Sequence, residues 1–225
     1  MVDSEQPPVL TDALEDCLRQ VFKLEDDHGQ ATNSALAERL SLAPSSTTAL
    51  VKRLSSLGLV EHALYQGARL TPEGRRQALS LVRRHRLLER FLSDTLGVDL
   101  AEVHAEADRL EHGLSEALQE RIADVLGHPE HDPHGDPIPG PDLRVQEVAR
   151  PSQTLDSLTP GQIAEVRRIP DEDHALVAYL ARLGLVPGSA IEMIDAAPFD
   201  GPLTLRVAGK ERVVSRDLAR IVSVG

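Results

Sequence analysis

The sequence predicts a mainly α protein that ends in a small β-barrel. Three observations carry this. The 225 residues are 41% hydrophobic but only 2% aromatic, with no Trp, so the core must be built from Leu, Val and Ala, which suits helices. Apolar residues recur at helical spacing through residue 126 or so. From about residue 154 they fall instead into short runs separated by Gly and Pro. The stretch between, about 127–153, is rich in Pro, Gly, Asp and His and reads as a linker or irregular arm.

Each element has its own signal. A Thr11/Asp12 cap opens a helix whose apolar face is Leu14, Leu18, Val21 and Phe22. Asn33 or Ser34 caps a short helix carrying Leu36, Ala37 and Leu40. After the turn Ser41–Pro44, Pro44 or Ser45 opens a third helix with Thr48, Val51, Leu54 and Leu57, and Gly58 stops it. Leu59–Leu70 reads as a hairpin of two brief strands turning at Tyr65–Gly67. Thr71-Pro72-Glu73 starts a long helix that runs through Leu79, Val82, Leu87, Leu88 and Leu92 to a break at Gly97–Asp99. Helices at about 99–112 and 115–126 follow. Beyond the linker, Ile163–Ile169, Ala190–Ile194, Leu203–Ala208 and Arg212–Val214 read as strands, with one helix over about 171–183. A five-stranded barrel is the expected outcome.

Function classes narrow quickly. One cysteine, Cys17, excludes an internal disulfide and a thiolate zinc cage, and fits a cytoplasmic protein. Met1–Pro8 does not read as a signal peptide, and no apolar run reaches the ~20 residues of a membrane helix. The net charge of −12 is unevenly spread: residues 31–90 hold 10 basic and 4 acidic groups, +6 inside a chain whose remainder is −18. A phosphate-binding module fits the basic block, and a cation site fits the acidic remainder.

Two patterns carry chemistry. Residues 35–57 read helix, tight turn, helix, with a β-wing behind them, the form of a winged helix-turn-helix. Ser45, Ser46, Thr47 and Thr48 begin the second helix, which in this motif enters the major groove of DNA. Lys52, Arg53, Arg39 and Arg69 are placed to reach phosphates. Second, His104, Asp108, Glu111 and His112 fall within roughly a 100° arc of a helix, and His85 and Glu89 repeat the i, i+4 spacing on another. Six N/O donors on two helices suit a divalent metal site of one or two ions. By contrast, His128, His131 and His134 lie in the linker and are expected to be solvent-exposed bystanders.

The segments LEDCLRQVFKLED, ALAERLSLAPSSTTALVKRLSSLGLVEH, LTPEGRRQAL, RRHRLLERFL, VHAEADRLEHGLSEAL and HGDPIPG resemble those of the metal-dependent repressors of the diphtheria toxin repressor class. LARLGLVPGSAIEMI resembles the SH3-like domain of its longer members. The resemblance covers residues 11–225. It implies a winged-helix DNA-binding domain at 1–72, a helical metal-binding and dimerisation domain at 73–140, a linker at 141–153 and an SH3-like domain at 154–225. It also implies a primary metal site of Asp16, Asp108, Glu111 and His112, and an ancillary site of His85, Glu89 and His104. The SH3-like domain's ligands are expected within Asp171-Glu172-Asp173-His174, with Glu172 and Asp173 the residues chosen from that stretch. The family's iron regulators carry Met and Cys where this chain has Asp16 and Asp108. Carboxylates in both places lean the site towards Mn²⁺, with Fe²⁺ second.

The implied function is a homodimeric, metal-dependent transcriptional regulator of metal homeostasis genes. It would bind double-stranded operator DNA and no small molecule beyond the ion. Some members of the family have Gln at the position of Ala49, so their operator sequence does not transfer. Two rivals are a di-metal helical enzyme and a metal-independent winged-helix repressor. The first leaves the basic helix-turn-helix unexplained and lacks the paired Glu-x-x-His signatures of such bundles.

Overall fold

The computed structural model describes residues 10–63, 67–145 and 153–225. Residues 65–66 of the expected wing turn and much of the expected linker fall outside these. Packing divides the chain into two compact units, residues 1–83 with 141–144, and residues 84–140 with 145–225.

The first unit begins with α1 (Asp12–His28), α2 (Asn33–Arg39) and α3 (Pro44–Ser56). Their apolar faces meet in one cluster that includes Leu18, Val21, Leu36, Val51 and Leu54. The cap of α2 is Thr32, whose hydroxyl accepts from the Ala35 amide at 3.2 Å, one residue before the expected Asn33 or Ser34. Pro44 takes the first turn of α3, where its missing N–H costs nothing. The wing is β1 (Val60–Ala63) against β2 (Gly67–Leu70), antiparallel with Val60 opposite Leu70. Glu25 of α1 ties this wing down by accepting from the Leu70 amide at 2.8 Å, while Arg75 reaches its other oxygen at 3.3 Å.

One long helix, α4 (Pro72–Leu96), leaves the first unit and enters the second. Gly74 is needed near its start, because a Cβ there would lie 1.8 Å from the Leu59 carbonyl oxygen. In the second unit, α4 packs Leu87, Leu88 and Leu92 against α5 (Val103–Leu110) and α6 (Glu116–Val125) through Val103, Ala107 and Ile122. The helix expected to run to residue 112 ends at Leu110. Glu111–Gly113 is a separate 3₁₀ turn. Glu111 and His112 therefore leave the α-helical arc of His104 and Asp108.

The rest of this unit is one antiparallel sheet: β3 (Gln153–Thr154), β4 (Ile163–Arg168), β5 (Ala190–Ala196), β6 (Leu203–Val207), β7 (Lys210–Val214) and β8 (Ser223–Val224). Its order is β3-β8-β4-β5-β6-β7. The expected closed five-stranded barrel is corrected to a six-stranded open sheet. Bulges in β4 and β5 curl it, but the two-residue strands β3 and β8 give little pairing with which to close it. α7 (His174–Leu183) and α8 (Arg216–Arg220) pack Val177, Leu180, Leu218 and Ala219 onto its core. Ala101 from the helical half joins the same core. Among the described residues no helix is long and apolar enough to cross a membrane.

Candidate metal centre and nucleic-acid interface

The metal-capable residues of the second unit converge on His85. Its Nε2 lies 3.0 Å from Glu89 Oε1 and 3.0 Å from His104 Nδ1, and those two atoms are 2.8 Å apart. An octahedral ion ~2.1 Å from adjacent ligands at right angles would separate them by about 3.0 Å. The three donors thus already form one face of such a polyhedron. On the other side of the ring, Nδ1 lies 3.0 Å from Glu111 Oε2 and 3.5 Å from Asp108 Oδ1. His85, Glu89 and Glu111 are buried, whereas Asp108 and His112 are only partly so. Glu89, His104, Asp108 and Glu111 are therefore brought together on the two edges of one imidazole, with His112 Nε2 4.0 Å from Glu111 Oε1. Asp16 stands on α1 in the first unit, where Arg19 reaches it at 3.4 Å.

Two ligand candidates, Asp132 and His134, lie outside the set read from the sequence, and Asp171 belongs to the expected stretch but not to the pair chosen from it. Glu89, Asp132 and His134 offer donor atoms within 4.8 Å of one another, and so do Glu89, His104 and Asp171. His134 is fully buried, which corrects its expected exposure. Its Nε2 lies 3.1 Å from the Leu100 carbonyl oxygen, which can only accept. In the neutral ring that nitrogen carries the proton, and Nδ1 keeps a bare lone pair. His134 Nδ1, Glu89 Oε2 and Asp132 Oδ2 are all buried without a hydrogen-bond partner. A folded chain rarely strands three polar atoms together unless something else satisfies them. Asp171 takes the place expected of Glu172 and Asp173: it is buried, with Oδ2 3.8 Å from His104 Nδ1. Both of the expected residues are exposed, and the Asp173 carboxylate caps α7 by accepting from the Ala175 and Leu176 amides. The signal available in the sequence was the Asp-x-His spacing at 132–134, masked by its Pro-rich surroundings.

The electrostatics of these residues suit a cation. Burial, then the Asp136 and Glu89 carboxylates, push Asp132 well above the usual carboxylate range, and Arg86 only partly offsets them. For Glu89, burial pushes upward, but the charges and hydrogen bonds of His85 and His104 outweigh it and hold the carboxyl well below its usual range. One buried carboxylate here faces more negative charge than Arg86 offsets, and another depends on the imidazoles beside it. The donor set contains nitrogen and oxygen and no sulfur, which suits Mn²⁺ or Fe²⁺. Cys17 is a poor thiolate candidate: burial first, then Asp16, push its thiol up to about 12.

The other interface is α3. Ser45 and Ser46 at its first turn are exposed, as are Lys52 and Arg53 further along and Arg69 on the wing. Thr47 is corrected: it is fully buried, its hydroxyl donating to the Ala43 carbonyl at 3.3 Å, so it cannot touch a base. Thr48 is half-buried and donates to the Pro44 carbonyl at 2.7 Å. Arg39 is held by Asp27 at 3.2 Å.

Comparison with known proteins covers almost the whole chain. Residues 9–68 match the iron dependent repressor N-terminal DNA binding domain, 71–140 its metal binding and dimerisation domain, and 153–225 the FeoA domain. The diphtheria toxin repressor of Corynebacterium diphtheriae is 31% identical over 223 residues, covering 96% of this chain and 97% of that protein. The iron-dependent repressor IdeR of Mycobacterium leprae is 32% identical over 227 residues, covering 96% and 97%. A solved manganese-dependent transcriptional repressor in complex with manganese superposes with a TM-score of 0.83 at 35% identity, covering 94% of this chain and 98% of the other. ScaR with bound Cd²⁺ superposes at 0.78 with 30% identity, covering 94% and 98%.

Proposed function

The chain belongs to the diphtheria toxin repressor family of metal-dependent, non-enzymatic transcriptional repressors, and from that premise we propose that it is a Mn²⁺-responsive repressor, with Fe²⁺ the alternative ion. The observation that carries the metal reading is the buried donor set around Glu89, with three polar atoms left unpartnered. His85, Glu89 and His104 hold one ion, helped by Asp132, His134 and Asp171. Glu111, His112 and Asp108 hold a second. Asp16 enters as its further ligand on the strength of the resemblance alone. The ion supplies positive charge that the buried carboxylates lack. The chain supplies preset donors: His134 keeps Nδ1 free by donating from Nε2 to Leu100, and His85 faces both groups at once.

DNA is read by α3, with Ser45, Ser46 and the partly covered Thr48 towards the bases and Lys52, Arg53 and Arg69 towards phosphate. The protein works as a homodimer on two half-sites of operator DNA. The apolar residues Leu96, Leu110, Leu118 and Val125, exposed in the monomer, supply surface for a second copy. Metal binding favours the dimer geometry whose two recognition helices match DNA ~34 Å apart. The domain limits 1–72, 73–140, 141–153 and 154–225 and a cytoplasmic location belong to the same reading. Operator affinity by fluorescence anisotropy tests it: binding should strengthen strongly with Mn²⁺ over chelator, and equal affinity in both would overturn it.

A further inference from the structure

We propose that Arg86, Asp136 and Arg168, none of them a ligand, form a positioning clasp that holds the Asp132–His134 loop in ligating shape. This rests on the metal reading above and adds to it the residues that set the loop's donor geometry. The loop is gripped from two sides. From α4, next in sequence to His85, Arg86 donates to the Pro137 carbonyl at 2.6 Å and reaches Asp136 Oδ1 at 3.2 Å. From β4, Arg168 Nε donates to the same Asp136 oxygen at 2.9 Å. Asp136 thus joins the helix that carries His85 and Glu89 to the strand beneath the loop. The Ile169 amide completes the attachment by donating to the His134 carbonyl at 3.0 Å. Gly135 lets the loop lie this close, because a Cβ there would stand 1.9 Å from the Arg167 carbonyl oxygen.

The clasp leaves the ligand atoms open. Asp132 Oδ1 accepts from the His134 and Asp136 amides, each at 2.9 Å, which fixes the carboxylate plane. Its Oδ2 stands 3.6 Å from Arg86 Nε, near enough to feel the charge and too far for a hydrogen bond. Arg86 therefore tempers the negative charge of the loop without consuming the donor. The same contacts dock the loop on the sheet, so ion binding and loop seating become one event. Partners of this kind typically change metal affinity by 10–100-fold when removed.

The test uses the full chain and Mn²⁺ alone, with free ion followed by electron paramagnetic resonance during titration. Arg168→Gln is the main variant because Arg168 is a half-exposed residue outside the apolar core. We expect at least about a 10-fold weaker affinity for one class of Mn²⁺, the same class that His134→Ala abolishes. Arg168→Lys, which keeps a cation facing Asp136, should recover part of the loss. Hydrogen exchange at the Ile169 amide should speed up in Arg168→Gln, with its melting temperature in chelator unchanged. Should wild-type protein bind no Mn²⁺, the metal reading falls and the clasp with it. If His134→Ala loses an ion while Arg168→Gln binds as tightly as wild type, the clasp alone is overturned. It is overturned equally if Arg168→Gln weakens binding only in proportion to a lower melting temperature, without rescue by Lys.

Discussion

The start of α3 and the surroundings of Glu89 are both polar, yet they are finished to different degrees. On α3 the hydroxyls of Thr47 and Thr48 are satisfied by the helix itself, and the serines and cations face water. That surface is stable with or without DNA. Around Glu89 the charges are buried and three polar atoms have no hydrogen-bond partner. The fold does not satisfy that region alone. The difference teaches where a switch can be placed: a ligand shifts an equilibrium only through groups whose energy changes when it binds, and here those groups lie around Glu89.

The comparison can be broken most directly at its buried side. Glu89→Ala removes the carboxylate common to the Asp132–His134 and His104–Asp171 donor sets, and we expect loss of at least one bound Mn²⁺ and of most metal-activated DNA binding, with helical circular dichroism retained. Metal content by equilibrium dialysis checks the first effect and anisotropy the second. Glu111→Ala or His112→Ala should also abolish activation while leaving the Glu89 centre able to bind Mn²⁺.

Asp132→Asn sharpens the contrast because two properties should move in opposite directions. Folded Asp132 titrates above its unfolded range, so the native state holds a proton that the unfolded chain releases. Metal-free stability therefore falls as pH rises from the ordinary carboxylate range towards the folded value. Removing the charge should raise the metal-free melting temperature at neutral pH by a few degrees and shrink the further rise that Mn²⁺ gives. Calorimetry with and without chelator reads both. A variant less stable than wild type at every pH would show that the carboxylate is not strained.

On the exposed side the effects should be smaller. Arg53→Ala should weaken specific and random DNA alike and lower the slope of log K against log salt by about 0.9, the value for one lost phosphate contact. Ser46→Ala should leave that slope alone and change the preferred sequence slightly. Thr47→Ala, being buried, should act through stability and not through sequence preference; an altered preference at equal stability would contradict its placement.

How much of this was legible in the sequence follows the same division. Periodicity and caps located every long helix and the wing, because those signals are local. The helical spacing of His85, Glu89, His104 and Asp108 was legible for the same reason. The nearness of Glu111 to His85 was anticipated from helical spacing although the helix stops before it, because the 3₁₀ turn still leaves that carboxylate beside the ring. Asp132 and His134 were not legible, and Asp171 was legible only as one of four residues in its stretch. Their side chains are brought to Glu89 by a docked loop and by the segment after β4, contacts that no periodicity encodes. Sheet closure failed similarly, because bulges and two-residue strands leave almost no pattern. Thr47 shows the opposite error: a polar residue in a polar run is buried because its helical position faces the core.

The most direct measurement of the central claim is anomalous diffraction at the manganese edge from crystals of Mn²⁺-loaded protein. A peak is expected bounded by His85 Nε2, Glu89 and His104 Nδ1, with Asp132, His134 or Asp171 completing the shell. Manganese bound elsewhere, with Glu89 Oε2 and His134 Nδ1 still unpartnered, would contradict it.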